Sequence, residues 1–397
     1  MRRMCYKLIV SMLVLSAYAP ASELIHFRDT TTSWSEVKSI AEKEHKLVFI
    51  DAYTDWCIWC KVMDRETFAD STVAKFMEEK FVPVRYEMET GFGLKMSEKY
   101  RVNGYPTFLI FTPDGKLVYR ILGYVKSKEF LEKLASALDP AQQDHLTGIS
   151  NELDPGFPEF YKRSFGKKEV RVRPDSATVV GYLATQSDLF GEVPWSVMFH
   201  FSYLLTDKYK DFIYANYDKL KGMYGSNDVE SAVSTFLASD LTSAIKANDE
   251  TALAKVIASS EKYMSQPANE IEFNDKLRFD VGTNRWTSYA DLIDSAKQSS
   301  AKMDPNAVND YSWTVYTSCP DKAVVARATK WMSEAISESP MYMLLDTYAA
   351  LLFKNGELEN AKKYAEIAID EGKKEKEDYK STEELLKKIN ASLEKKL

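Results

Sequence analysis

The chain has 397 residues, 28% of them charged and 45% hydrophobic, and a formal net charge of −7. Its length predicts more than one domain, and its acidic balance argues against a nucleic-acid partner. Four cysteines, one of them in an expected leader, are too few for a disulfide-stapled scaffold.

Arg2, Arg3 and Lys7 precede an apolar run over 8–15, and Ala19-Pro20-Ala21 is a small-x-small cleavage site. This predicts a signal peptide over 1–21, hence an exported, periplasmic protein with no membrane span in the mature chain. The apolar run is shorter than the roughly 20 residues a spanning helix needs. The mature chain would keep Cys57, Cys60 and Cys319.

From residue 33 helix and strand alternate. Helical patterns cover 33–44, 57–67 and 73–80; the apolar run 47–53 reads as a buried strand, and 81–86 as a second. Strands over 107–111 and 117–121 flank Pro113-Asp114-Gly115, which is turn chemistry, and a last helix covers 127–138. The expectation for 22–140 is an α/β domain with a mixed sheet flanked by helices. Residues 141–158, with Gly148, Pro155, Gly156 and Pro158, read as a linker. Over 159–397 strand signals nearly vanish, while 228–246, 250–264 and 323–336 show apolar residues at helical spacing. An all-α domain is expected there. Ala349, Gly356, Ala361, Ala365 and Ala368 fall where a tetratricopeptide-like repeat, here over 309–375, keeps small residues for close helix approach.

The chemistry concentrates in Trp56-Cys57-Ile58-Trp59-Cys60, between the strand 47–53 and a helix. A helix N-terminus offers unpaired backbone donors and partial positive charge, which favour a thiolate. Cys57 is then expected as the exposed nucleophile and Cys60 as the resolving thiol. Half of a zinc site has the same spacing, but zinc needs four ligands, and His26, His45, His145 and His200 show no ligand spacing. No metal and no cofactor beyond a redox-active Cys57–Cys60 disulfide is expected. Asp51, six residues before Cys57 in an apolar strand, is either buried with a raised pKa, able to exchange a proton with Cys60, or turned to solvent at a sheet edge. Pro106, entering a strand after Gly104-Tyr105, is either a fixed cis turn or an ordinary trans residue. Cys319, in Ser318-Cys319-Pro320, reads as a buried small residue, with a regulatory thiol as the sharper alternative.

With these residues in place, the segment 30–140 resembles the thioredoxin family. Trp56-Cys57-Ile58-Trp59-Cys60-Lys61 is similar to the family's Trp-Cys-x-x-Cys-Lys site, Asp51 to its buried aspartate, and Gly104-Tyr105-Pro106-Thr107 to its cis-proline loop. Glu66-Thr67-Phe68-Ala69-Asp70 and Phe81-Val82-Pro83-Val84 resemble the exported branch related to the soluble domains of thiol-disulfide interchange proteins. The resemblance implies that Pro106 sits beside the cysteines and that the Tyr105 backbone pairs with an extended substrate segment. It also implies an apolar rim of Trp56, Trp59 and Tyr105, and places Arg85 where the family keeps a lysine near the aspartate. Ile58-Trp59 replaces the common Gly-Pro and supplies no imidazolium, which favours a reductase or isomerase over a strong oxidant. The expected function is an exported thiol-disulfide oxidoreductase acting on protein thiols and disulfides and recharged by an upstream thiol reductant protein. The alternative is an adaptor whose helical repeats bind a partner.

Overall fold

A computed structural model describes residues 25–28, 32–299 and 303–395; the expected leader over 1–21 lies outside them. Two compact units are present, one ending at Val233 and the other beginning at Ser234.

The first unit contains a four-stranded sheet of order β2-β1-β3-β4, with β1 Leu47–Tyr53, β2 Phe81–Glu87, β3 Thr107–Phe111 and β4 Leu117–Leu122. β1 runs parallel to β2 and antiparallel to β3, which pairs antiparallel with β4. Five helices accompany it: α1 Trp34–Glu44, α2 Ile58–Glu66, α3 Ser71–Lys80, α4 Gly91–Tyr100 and α5 Ser127–Leu138. The mixed sheet with flanking helices is the architecture expected. β1 is internal and covered on both faces, which is why it reads as a nearly continuous apolar run, interrupted by Asp51. Val48, Ile50 and Ala52 pack with Val37 and Ala41 of α1 and Met96 of α4. Phe49 packs on the other face with Met63 of α2, Val73 of α3 and Phe130 of α5. Asp51, two residues beyond Phe49, shares that second face because strand side chains alternate.

α4 has no counterpart among the elements expected from sequence. Gly91 and Gly93 lower helix propensity, and its buried face carries Ser97, Glu98 and Lys99, which hides the amphipathic pattern. Gly93 is required by packing: a Cβ there would lie 2.0 Å from the Glu87 carbonyl oxygen.

The unit does not end at 141–158. The amide of Asp144 donates to the Val118 carbonyl at 2.8 Å, and Leu146, Ile149 and Leu153 pack on the α1/α4 side of the sheet. That segment therefore behaves as covering layer rather than linker, and helices continue beyond it: α6 Glu159–Lys162, α7 Ser176–Ala184, α8 Glu192–His200, α9 Asp207–Ala215, α10 Tyr217–Tyr224 and the longer α11 Ser226–Ala247. Buried ion pairs fasten two of them, α8 and α11. Lys99 pairs with Glu192 of α8, and Asp228 of α11 accepts from Arg101 at 2.6 Å and from Arg120 of β4 at 2.8 Å. These charges lie inside what composition alone marks as separate segments, so the linker signal misleads.

The second unit is helical, comprising the end of α11 and α12 Glu250–Tyr263, α13 Ala268–Gly282, α14 Trp286–Ser299, α15 Pro305–Ser318, α16 Lys322–Glu338, α17 Tyr342–Asn355, α18 Leu358–Glu375 and α19 Lys380–Glu394. Ala349 of α17 and Ala361 and Ala365 of α18 are fully buried, allowing the two helices to approach closely. Gly356 adopts φ +86° between them, a left-handed conformation that favours glycine. Cys319 is buried, and burial pushes its thiol pKa up, which suits a packing role. Among the described residues no helix is long and apolar enough to cross a membrane.

Candidate active site

Three loops of the first unit converge at the C-terminal end of β1. The first carries the cysteines. Cys57 is the N-cap of α2, and its Sγ accepts from the Cys60 amide at 3.0 Å while its own amide donates to the Thr54 carbonyl at 3.1 Å. Cys57 and Cys60 form a disulfide. A sulfur held against an unpaired helix donor is the local arrangement that stabilises a thiolate after reduction. Cys57 is not the exposed residue expected from sequence: it is 3% exposed, against 5% for Cys60. The N-cap conformation turns its side chain back over the helix end, and the exposed positions are its neighbours Trp56, Ile58 and Trp59.

Beneath α2, Asp51 is 1% exposed on the central strand, so the sheet-edge alternative fails. β1 and β2 place it opposite Arg85, whose Nε donates to Asp51 Oδ2 at 2.7 Å while its NH2 group reaches Asp64 of α2. Burial pushes the Asp51 pKa up to about 6, the Arg85 charge opposing the rise without cancelling it. Asp51 Oδ1 is buried without a hydrogen-bond partner among the described residues. A carboxyl group so placed takes and returns protons near neutral pH.

A stability signature follows. Because the folded-state pKa lies above the ordinary value of 3.8, Asp51 favours folding fully only below that value, and the benefit is lost as pH rises through about 6. Asp51→Asn is therefore expected to raise stability by about 2 to 3 kcal/mol at pH 7.5, with the gain disappearing near pH 4. Chemical denaturation at both pH values checks this; an equal effect at the two would contradict the buried, proton-binding carboxyl.

The second loop holds Pro106, and the Tyr105–Pro106 peptide is cis. The Tyr105 ring meets Trp56 edge-on at 5.9 Å between centroids. The third loop follows β4: the Gly123 amide donates to the Pro106 carbonyl at 2.9 Å, and Tyr124 lies 5.6 Å from Trp59. Trp56, Trp59, Tyr105 and Pro106 thus come together around the cysteine motif.

Residues with no sequence signal complete the arrangement. Glu89, just past β2 and 7% exposed, accepts from Trp56 Nε1 at 3.0 Å and from Arg171 at 2.9 Å. Arg171 lies in the helical extension and also donates to the Gly166 carbonyl. A glutamate after a strand and an arginine 82 residues away share no motif, and only the folded chain pairs them. Among the described residues no group of three or more His, Cys, Asp and Glu side chains is arranged to hold a metal ion.

Residues 35–138 match the family model described as a thioredoxin-like domain. The thiol:disulfide interchange protein DsbD of Actinobacillus pleuropneumoniae is 30% identical over 112 residues, 26% of this chain and 19% of its own length. DsbD of Photorhabdus laumondii is 30% identical over 114 residues, 28% of this chain and 20% of its own. The oxidised C-terminal domain of Neisseria meningitidis DsbD is 27% identical with a TM-score of 0.25, covering 28% of this chain and 97% of that one. The chain spans about a fifth of the length of the curated relatives it matches.

Proposed function

We propose that this protein is an exported thiol-disulfide oxidoreductase that reduces or isomerises protein disulfides. The observation that carries the reading is the Cys57–Cys60 disulfide at the N-terminus of α2, above the buried carboxyl of Asp51. In the dithiol form the Cys57 thiolate attacks one sulfur of a client disulfide. That bond breaks, and its other sulfur departs as a thiolate with the electron pair and takes up a proton. Cys60 then gives its proton to Asp51 and attacks Cys57 Sγ, displacing the second client sulfur as a thiolate that leaves with the electron pair and takes up the proton Asp51 returns. Two electrons and two protons pass to the client, and an upstream thiol reductant protein returns them. Trp56, Trp59 and Tyr105 form the apolar rim for the client, with the backbone beside Pro106 pairing to its extended segment.

Ile58 and Trp59 bring no positive charge to the Cys57 sulfur, which supports a reducing or isomerising direction. A potential above roughly −180 mV, that of protein disulfide isomerase, would reverse it. The experiment for the function itself is a trap. Cys60→Ala should accumulate a long-lived mixed disulfide between Cys57 and insulin, visible on non-reducing gels and released by dithiothreitol. Failure to form any such adduct would favour the adaptor reading.

A further inference from the structure

The helical extension of the first unit reaches the edge of the cysteine site. A cavity of about 340 Å³ opens beside the proline loop, with Gly104, Pro106 and Leu122 on the sheet side and Phe199, Asn227 and Ser231 on the side of α8 and α11. Its volume lies at the lower end for small-ligand sites, roughly 300 to 1,000 Å³. Tyr105 lines it and its ring also meets Trp56, so one residue borders both the cavity and the rim around the disulfide.

We infer that this cavity is a specificity pocket that receives one uncharged, apolar side chain flanking the cysteine of a client polypeptide. The inference rests on the function proposed above and adds to it a substrate preference set by residues outside the thioredoxin-like domain. Two observations select the occupant. The charged groups in the walls are already committed to one another: Arg101 donates to Asp228 through Nε and NH2 and to Ser196 through NH1, and Arg120 donates to Asp228 and to the Tyr100 carbonyl. A charged client side chain entering there would lose water without gaining an uncommitted partner. Beside the neutral Asn103, Asn227 and Ser231, the surfaces left to it are the apolar Pro106, Phe199 and Leu122, the last of them 58% exposed. An extended segment paired along the Tyr105 backbone would pass the cavity mouth, and burying an apolar side chain there would add to its affinity.

The test uses Cys60→Ala in the full chain and two peptides, each with one cysteine activated as a mixed disulfide with thionitrobenzoate. One peptide carries leucine on both sides of its cysteine and the other glycine. The Cys57 thiolate attacks the peptide sulfur, the new disulfide forms, and the nitrobenzoate thiolate leaves with the electron pair, giving a coloured readout. The leucine peptide should react about tenfold faster. Asn227→Trp, which fills the cavity from the solvent side of α11, should bring the ratio close to one, and Phe199→Ala, which removes a wall, should lower it. Equal rates for the two peptides, or a leucine preference unchanged in both variants, would overturn the pocket while leaving the proposed function intact. No release from either peptide would overturn both.

Discussion

Cys57→Ser is expected to lower the turnover of insulin disulfides to background, a loss of about a thousandfold or more. A serine hydroxyl in the same place keeps the N-cap hydrogen bond to the Cys60 amide, so α2 should persist and the fold should be unchanged by circular dichroism. What is lost is an atom able to ionise near neutral pH and exchange with sulfur. Cys60→Ala should behave differently, retaining the first attack and stalling at the mixed disulfide. The two variants therefore separate nucleophile from resolving thiol. Retention of a tenth of wild-type turnover by Cys57→Ser would sink the assignment.

Asp228→Ala is expected to destabilise the first unit by about 3 to 5 kcal/mol. Asp228 is the shared carboxylate of Arg101 and Arg120, and the side chains of Asp228 and Arg101 are 4% and 0% exposed. Removing it leaves two guanidinium groups close together with hydroxyl and carbonyl acceptors but without their directly paired carboxylate, Glu192 and Asp144 acting on Arg101 and Arg120 only through the longer-range field. Domains are stable by only about 5 to 15 kcal/mol, so the loss is a large share, equivalent to a fall of about 10 °C in melting temperature for a unit of this size. Asp228→Asn should cost nearly as much, since shape is kept and charge is lost. Thermal melts of the full chain check both, and a shift below 2 °C for each would show the cluster to be energetically idle.

The sheet domain was legible because its signals are local and redundant. The burial of β1 on both faces produces an apolar run, the Asp114-Gly115 turn marks the hairpin, and Ser33 caps α1 by accepting from the Glu36 amide at 3.3 Å. The places of Cys57, Cys60, Asp51 and Pro106 were legible because a cysteine pair at a strand-helix junction, a carboxylate in an apolar strand and a proline entering a strand each stand out locally, though only the fold decided that Asp51 is buried and Pro106 cis. α4 was not, since its glycines and buried charges contradict the ordinary amphipathic pattern. The extent of the first unit was hidden for a related reason. Prolines and glycines over 141–158 resemble a linker, whereas the ion pairs that attach the later helices join Arg101 to Asp228 across 127 positions. The Glu89 and Arg171 pair that holds Trp56 belongs to the same class of long-range polar contact.

That pair changes what kind of surface the rim is. Trp56 is 60% exposed, yet its indole nitrogen is anchored to Glu89, which is itself braced by Arg171. An exposed indole normally samples several rotamers and forfeits that freedom when a partner docks, at about 0.5 to 1.5 kcal/mol per side chain. Here the freedom is surrendered when the chain folds. The entropy of ordering is thus charged to folding, and the aromatic edge beside Cys57 is already ordered in the free protein.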